Sequence, residues 1–346
     1  MQIKPSLPST KMLAEAKNSR SHNAVIEIII FIAVFAVGAI LQGIIVAVPE
    51  LSYLFNSPEY IQIMQDVASG VCTDTAEITK RVMAVVSDMP NYIMIISLFA
   101  TVMSTVTVMI YCKVFEKRKV STLGFKKNNA LLEYLAGMLV GTAIFSAAVG
   151  ICLVTGALEY KGMYENIAWS YVGLYFLGFL LQGMSEEVIF RGYLTVSLSR
   201  RVPVAVAVGI SSVIFACAHL GNSGISVLAF INLSLFGAFA AVYMLKRGNI
   251  WGVCAVHSLW NFVQGNLYGI RVSGMQNMDS ILEMSSVESK VLINGGEFGL
   301  EGGLAVTVVL VIGIIVLLCT KTKKCELAES LPEDESQVDN MGEVPA

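Results

Sequence analysis

The chain has 346 residues, of which 55% are hydrophobic and only 14% charged, with a mean hydropathy of +0.69. An ordinary soluble domain carries about 25% charged residues, so the composition excludes a water-soluble globule. With apolar runs of about 20 residues it points to a polytopic helical membrane protein. The formal net charge of −3 hides segregation along the chain, and no basic stripe suggests a nucleic-acid partner.

Residues 1–23 form a polar tail with Lys4, Lys11, Lys17 and Arg20 against one acid, Glu15. The first apolar run, 24–48, is too long for a signal-peptide core and ends without a small-x-small cleavage site, so it reads as a retained first span. A polar external loop, 49–90, follows, with short surface helices expected over 58–69 or 75–88. Span two covers 92–112 and leads into the densest basic cluster, from Lys113 to Lys127. Span three, 130–155, contains Gly137-x-x-x-Gly141, a weak signal for close helix packing. Span four covers 168–198, span five 204–220, span six 225–245 and span seven 250–267. A second polar loop, 269–302, precedes span eight, 304–318. The tail 321–346 has seven acids and, past Lys324, no base, and is expected to be disordered.

A cytoplasmic N-terminus puts 17 of the 23 lysines and arginines on inner segments. They are Lys4, Lys11, Lys17, Arg20, the six between 113 and 127, Arg200, Arg201, Lys246, Arg247, Lys321, Lys323 and Lys324. Lys80, Arg81, Lys161, Arg271 and Lys290 are outer, and Arg191 lies within a span. The positive-inside rule therefore favours eight spans with both termini in the cytoplasm, and a multi-pass protein of the cell membrane. The seven cysteines show neither zinc-ribbon nor disulfide spacing and read as small buried residues.

The polar residues deep inside spans are few: Glu186, Glu187, Arg191, His219, His257 and Asn261. An intramembrane charge costs roughly 3 kcal/mol on insertion scales, which makes each a candidate functional group. Glu187 and Arg191 are i and i+4 with the acid first, the favourable order for an ion pair. That leaves Glu186 as the freer carboxylate. His257 and Asn261 share one face of span seven, and Phe215 and His219 share one face of span five.

Three helices can thus offer polar groups to one interior, and the chemistry they permit is hydrolysis. Glu186, with a histidine, can take a proton from water. A second histidine and an amide N–H can donate to an oxyanion. No serine or cysteine is placed as a nucleophile, since Cys217 and Ser258 lie off the faces of the neighbouring histidines. Two histidines and a glutamate also suffice for zinc, but His-Glu-x-x-His is absent. No cofactor is assigned, and a zinc-dependent membrane protease stays as an alternative, beside a proton-relay transporter. No internal repeat or matched pair of broken helices supports the transporter. One difficulty is geometric. At about 1.5 Å per residue, His257 lies roughly 10 Å from the inner end of span seven, and His219 roughly 24 Å from that of span five. Straight parallel helices do not bring them together.

Glu186-Glu187 with Arg191, then Phe215 with His219, then His257 with Asn261 together resemble the CPBP family. This is the CAAX protease and bacteriocin-processing (Abi-type) group of intramembrane glutamic endopeptidases. The resemblance covers roughly residues 130–268, and the ordered set of motifs is far more specific than any one of them. It implies an all-α transmembrane bundle in which Glu186 and His219 activate water, and His257 and Asn261 form the oxyanion site. Glu187, Arg191 and Phe215 are supporting residues. It implies substrates that are prenylated proteins, bacteriocin-type peptides or other membrane-associated polypeptides; a non-enzymatic immunity scaffold is the alternative. The expected organisation is a tail (1–23), two N-terminal spans (24–129), a catalytic membrane core (130–268), an external loop (269–302), a last span (303–320) and the acidic tail. The lipid bilayer and a peptide substrate are the expected partners.

Overall fold

The computed structural model describes residues 7, 10–275 and 278–320; the acidic tail and its expected disorder lie outside the described residues. Every apolar run is helical. A short α1 (Lys11–Lys17) precedes α2 (Ala24–Asn56), which starts on an Asn23 side-chain cap. The loop 49–90 is mostly helix rather than irregular chain. α2 continues through Pro49, and α3 (Pro58–Ala68) and α4 (Thr75–Ser87) occupy the expected surface positions. Ser57 and Asp74 cap them, each accepting from a first-turn N–H. α5 (Asn91–Ala100) and α6 (Val102–Val114) form one rod, and α7 (Ala130–Val154) follows.

Strand β1 (Leu158–Met163) leads to α8 (Trp169–Glu187). The helix does not stop at Glu187. It passes through a π-helical stretch, Val188–Thr195, into α9 (Val196–Ser199). Then come α10 (Val204–Cys217), α11 (Val227–Arg247) and α12 (Trp251–Phe262), the last extended by π turns over Val263–Leu267. The segment 269–302 is no simple loop. It holds β2 (Leu282–Ser286), antiparallel to β1, and α13 (Val291–Asn294), before α14 (Leu304–Cys319). The described residues thus form an all-α bundle with one small two-stranded ribbon. Among the described residues, five helices are long and apolar enough to cross a membrane, and α10 and α14 are shorter apolar helices.

Span five is shorter than expected. α10 ends at Cys217, so His219 sits in the following turn rather than on a helix face. The cysteines divide as well: Cys112, Cys152 and Cys254 are buried, while Cys217 and Cys319 are exposed.

Segments between helices gather at two ends. At one end Arg200 binds Glu27 at 3.2 Å and Glu116 at 3.1 Å, and donates to the Arg20 carbonyl at 2.7 Å. Arg201 donates to the Ser21 carbonyl, and Lys119 pairs with Glu15. Arg247 grips Glu133 with two 2.7 Å bonds, Lys246 reaches the Thr320 carbonyl, and Trp251 donates to the Lys126 carbonyl. At the other end Asn91 donates to Asp279, Tyr164 N–H to the Ile281 carbonyl, and Asn222 to the Ser273 carbonyl. The basic segments therefore share one end. Glu27 and Glu133, near that end, are buried and paired with arginines.

α7 and α12 pack through the glycines of the GxxxG. A Cβ at Gly137 would lie 2.0 Å from the Gly252 carbonyl oxygen, and one at Gly141 2.3 Å from that of Val256. Backbone-to-backbone contact of this kind needs the smallest residue. Gly141→Leu is expected to cost more than the about 1–3 kcal/mol of an overpacked core, because a main chain, not a side chain, must give way. Loss of the monodisperse species in detergent chromatography would show it; an unchanged profile would show that α7 can move.

Candidate active site

The π-helical stretch sets the register of the site. A π turn leaves carbonyls without α-helical partners, and such turns often mark functional positions. Here Thr195 Oγ1 donates to the Phe190 carbonyl at 2.9 Å, and Arg118 Nη2 donates to that of Gly192 at 3.0 Å. Arg118 also reaches Ser197 Oγ and Thr122 Oγ1, so the buried guanidinium ties the stretch to the chain after α6.

Above it stand the two carboxylates. Glu187 Oε1 accepts from Arg191 Nη1 at 3.0 Å and from His257 Nδ1 at 2.8 Å. A carboxylate only accepts, so Nδ1 of His257 carries the proton and Nε2 turns toward Glu186 Oε2, 3.8 Å away. The Arg191 guanidinium lies 4.2 Å from the Phe215 ring centroid, with Phe190 and Phe236 at about 6 Å. Phe215 also packs against His219 at 4.7 Å. The Phe-x-x-x-His spacing thus places one ring between a buried cation and a histidine.

Glu186 is held differently. Its Oε1 accepts from Gln182 Nε2 at 2.6 Å, and Gln182 Oε1 accepts from Asn261 Nδ2 at 2.9 Å. Its Oε2 has no protein hydrogen-bond partner. The side chain of Glu186 is 26% exposed, against 0% for Glu187. His219 Nδ1 donates to the Phe215 carbonyl at 2.8 Å, which leaves Nε2 as an acceptor.

Glu186, Phe215, His219, His257 and Asn261 all line one cavity of about 90 Å³. Glu187 and Arg191 lie behind it. All seven residues expected from the sequence therefore stand in one cluster. The axial mismatch between the histidines disappears because the helices do not start at one level. Gly192 packs against Ile250, at the start of α12, and Gly183 against Ser258. α12 therefore begins about two helical turns deeper than Arg200, where α9 ends beside α10.

The cavity holds further residues that the sequence did not reveal. Gln182 couples the carboxylate to the amide; its i−4 relation to Glu186 was the available signal. Phe236 stacks edge-on against His257 at 4.9 Å. Glu301 joins from the chain before α14, accepting from Ser273 N and Oγ at 2.7 Å each and from Trp260 Nε1 at 3.2 Å. Nothing local marks it. Among the described residues, no group of three or more His, Cys, Asp or Glu side chains is placed to hold a metal ion.

Compared with known proteins, residues 168–263 match the family described as type II CAAX prenyl endopeptidase Rce1-like. That stretch runs from the start of α8 past Asn261. No match was found among curated proteins or among solved structures. Over these residues the chain is similar to the Rce1-like domain; the match is consistent with a CPBP/CAAX protease family and supports an intramembrane endopeptidase in general.

Proposed function

We propose that the protein is a metal-independent glutamic endopeptidase that hydrolyses peptide bonds of membrane-associated polypeptides. Its chain makes eight crossings of the cell membrane, with both termini in the cytoplasm and residues 130–268 as the catalytic core. The observation that carries this reading is the convergence of Glu186 from α8, His219 from the turn after α10, and His257 and Asn261 from α12 on one cavity where Glu186 Oε2 is unpartnered.

The roles follow from the hydrogen bonds. Water held by His219 Nε2 gives a proton to Glu186 Oε2 as its oxygen bonds to the scissile carbonyl carbon. The carbonyl oxygen becomes an oxyanion. His257 and Asn261 are its donors, a type of contact worth about 3 kcal/mol each in a dry site. Because His257 Nδ1–H is committed to Glu187, donation from Nε2 requires the imidazolium. Asn261 gives one amide hydrogen to Gln182 and keeps the other for the oxyanion. Glu186 then passes its proton to the amide nitrogen, the C–N bond breaks, and a carboxylic acid and an amine leave.

The test compares the membrane peptides of cells carrying the wild-type chain with those carrying Glu186→Ala. Uncut precursors are expected to accumulate in the variant, and chelators are expected to leave wild-type cleavage unchanged. Identical peptide profiles would overturn the peptidase reading. Chelator-sensitive cleavage would overturn metal independence.

A further inference from the structure

The cavity has unequal ends. Toward the basic end it is sealed: every residue from Glu187 to Ser199 is buried, with Arg191 packed among Phe190, Phe215 and Phe236. Toward the other end its wall is made of loop residues Asn222, Val272, Ser273, Met275 and Glu301. His219 and Asn222 are half-buried there, and Ser223 is exposed.

Helix lengths point the same way. α10 has 14 residues and α14 has 16, about 21 and 24 Å against a hydrocarbon core of about 30 Å. Both are anchored at the basic end, α10 behind Arg200-Arg201 and α14 through the Lys246 bond to Thr320. The missing length therefore falls at the far end, where 218–226 and the chain before α14 take its place. Irregular backbone at membrane depth persists only where protein buries it or water reaches it. Here it is a fixed structure. Glu301 holds Ser273, Asn222 holds the Ser273 carbonyl, and a Cβ on Gly274 would lie 2.1 Å from the Ser223 carbonyl oxygen.

We propose that the site takes its substrate from the extracytoplasmic side, as a polypeptide segment exposed on the outer face of the membrane. The inference rests on the endopeptidase and topology reading above, with the basic end in the cytoplasm. A segment confined to the cytoplasm would meet the sealed end. The water that Glu186 activates enters by the same outer route.

Two measurements test it. In a background whose seven native cysteines are replaced by serine or alanine, Ser223→Cys is expected to react with a membrane-impermeant maleimide in intact cells. Lys113→Cys, exposed at the basic end, is expected to react only after permeabilisation. The reverse pattern overturns the proposal. In the native chain, a reporter peptide tethered to either face is compared between wild type and Glu186→Ala. Glu186-dependent cleavage of the outer reporter alone is expected. Glu186-dependent cleavage of the inner reporter alone overturns the side assignment and leaves the peptidase reading standing. Glu186-independent cleavage, or none on either face, overturns the peptidase reading, and the labelling still decides the side.

Discussion

Glu186→Gln is expected to lower peptide cleavage by roughly a hundred- to ten-thousand-fold, the usual contribution of a general acid–base group, without loss of folded protein. The substitution is nearly isosteric. A glutamine at this position still offers an Oε1 to Gln182, whose bond to the carboxylate is 2.6 Å. It cannot take a proton from water. Chromatography and thermal unfolding in detergent should therefore match wild type while turnover is lost. His219→Ala is expected to give a loss of similar size, because the Nε2 acceptor left free by the Phe215 bond disappears. Wild-type turnover in either variant would remove that residue from the reaction. A folded, inactive pair would separate chemistry from packing.

Arg191→Met is expected to be the most destabilising single change in the cluster, by about 3–5 kcal/mol. The guanidinium is buried, its ion pair with Glu187 is 3.0 Å, and the methionine would leave that carboxylate with the His257 bond alone. Thermal unfolding of the detergent-solubilised protein measures the effect. The double variant Glu187→Gln/Arg191→Met should recover most of the lost stability, since neither member then leaves an uncompensated charge. Its activity should stay low, because the His257 imidazolium loses its anionic partner. Equal stability of Arg191→Met and wild type would show that the phenylalanine cage, not the ion pair, holds this region. A double-mutant cycle on the two positions isolates the coupling.

The parts of the site that obey helical period were legible in the sequence. Glu187 with Arg191, Phe215 with His219, and His257 with Asn261 are each four residues apart, and the members of each pair stand side by side in the cluster. Gln182 obeys the same spacing toward Glu186, but a neutral amide in a membrane span draws less attention than a charge. Axial offset was not legible. An apolar run shows how long a helix is, not how deep its neighbour begins, and the Gly192–Ile250 contact supplies that. Glu301 and the pairing of Leu158–Met163 with Leu282–Ser286 depend on contacts between segments distant in sequence, which no local pattern encodes. The C-terminal end of α10 differs from the sequence reading for a related reason: Ala218-His219-Leu220 is apolar enough to continue a helix, yet the chain turns there.

The π-helical stretch between Glu187 and Val196 adds a mechanical property to the bundle. In an unbroken α-helix the azimuth of every residue is fixed by all the others, at about 100° per residue. The wide turns break that constraint and act as a phase shifter. The part before Glu187 is indexed to His257 and Asn261, while the part after it is indexed to Arg118 through Gly192 and Ser197. The two settings can be adjusted separately, so mutations that reseat the basic end need not rotate Glu186 out of the cavity it lines.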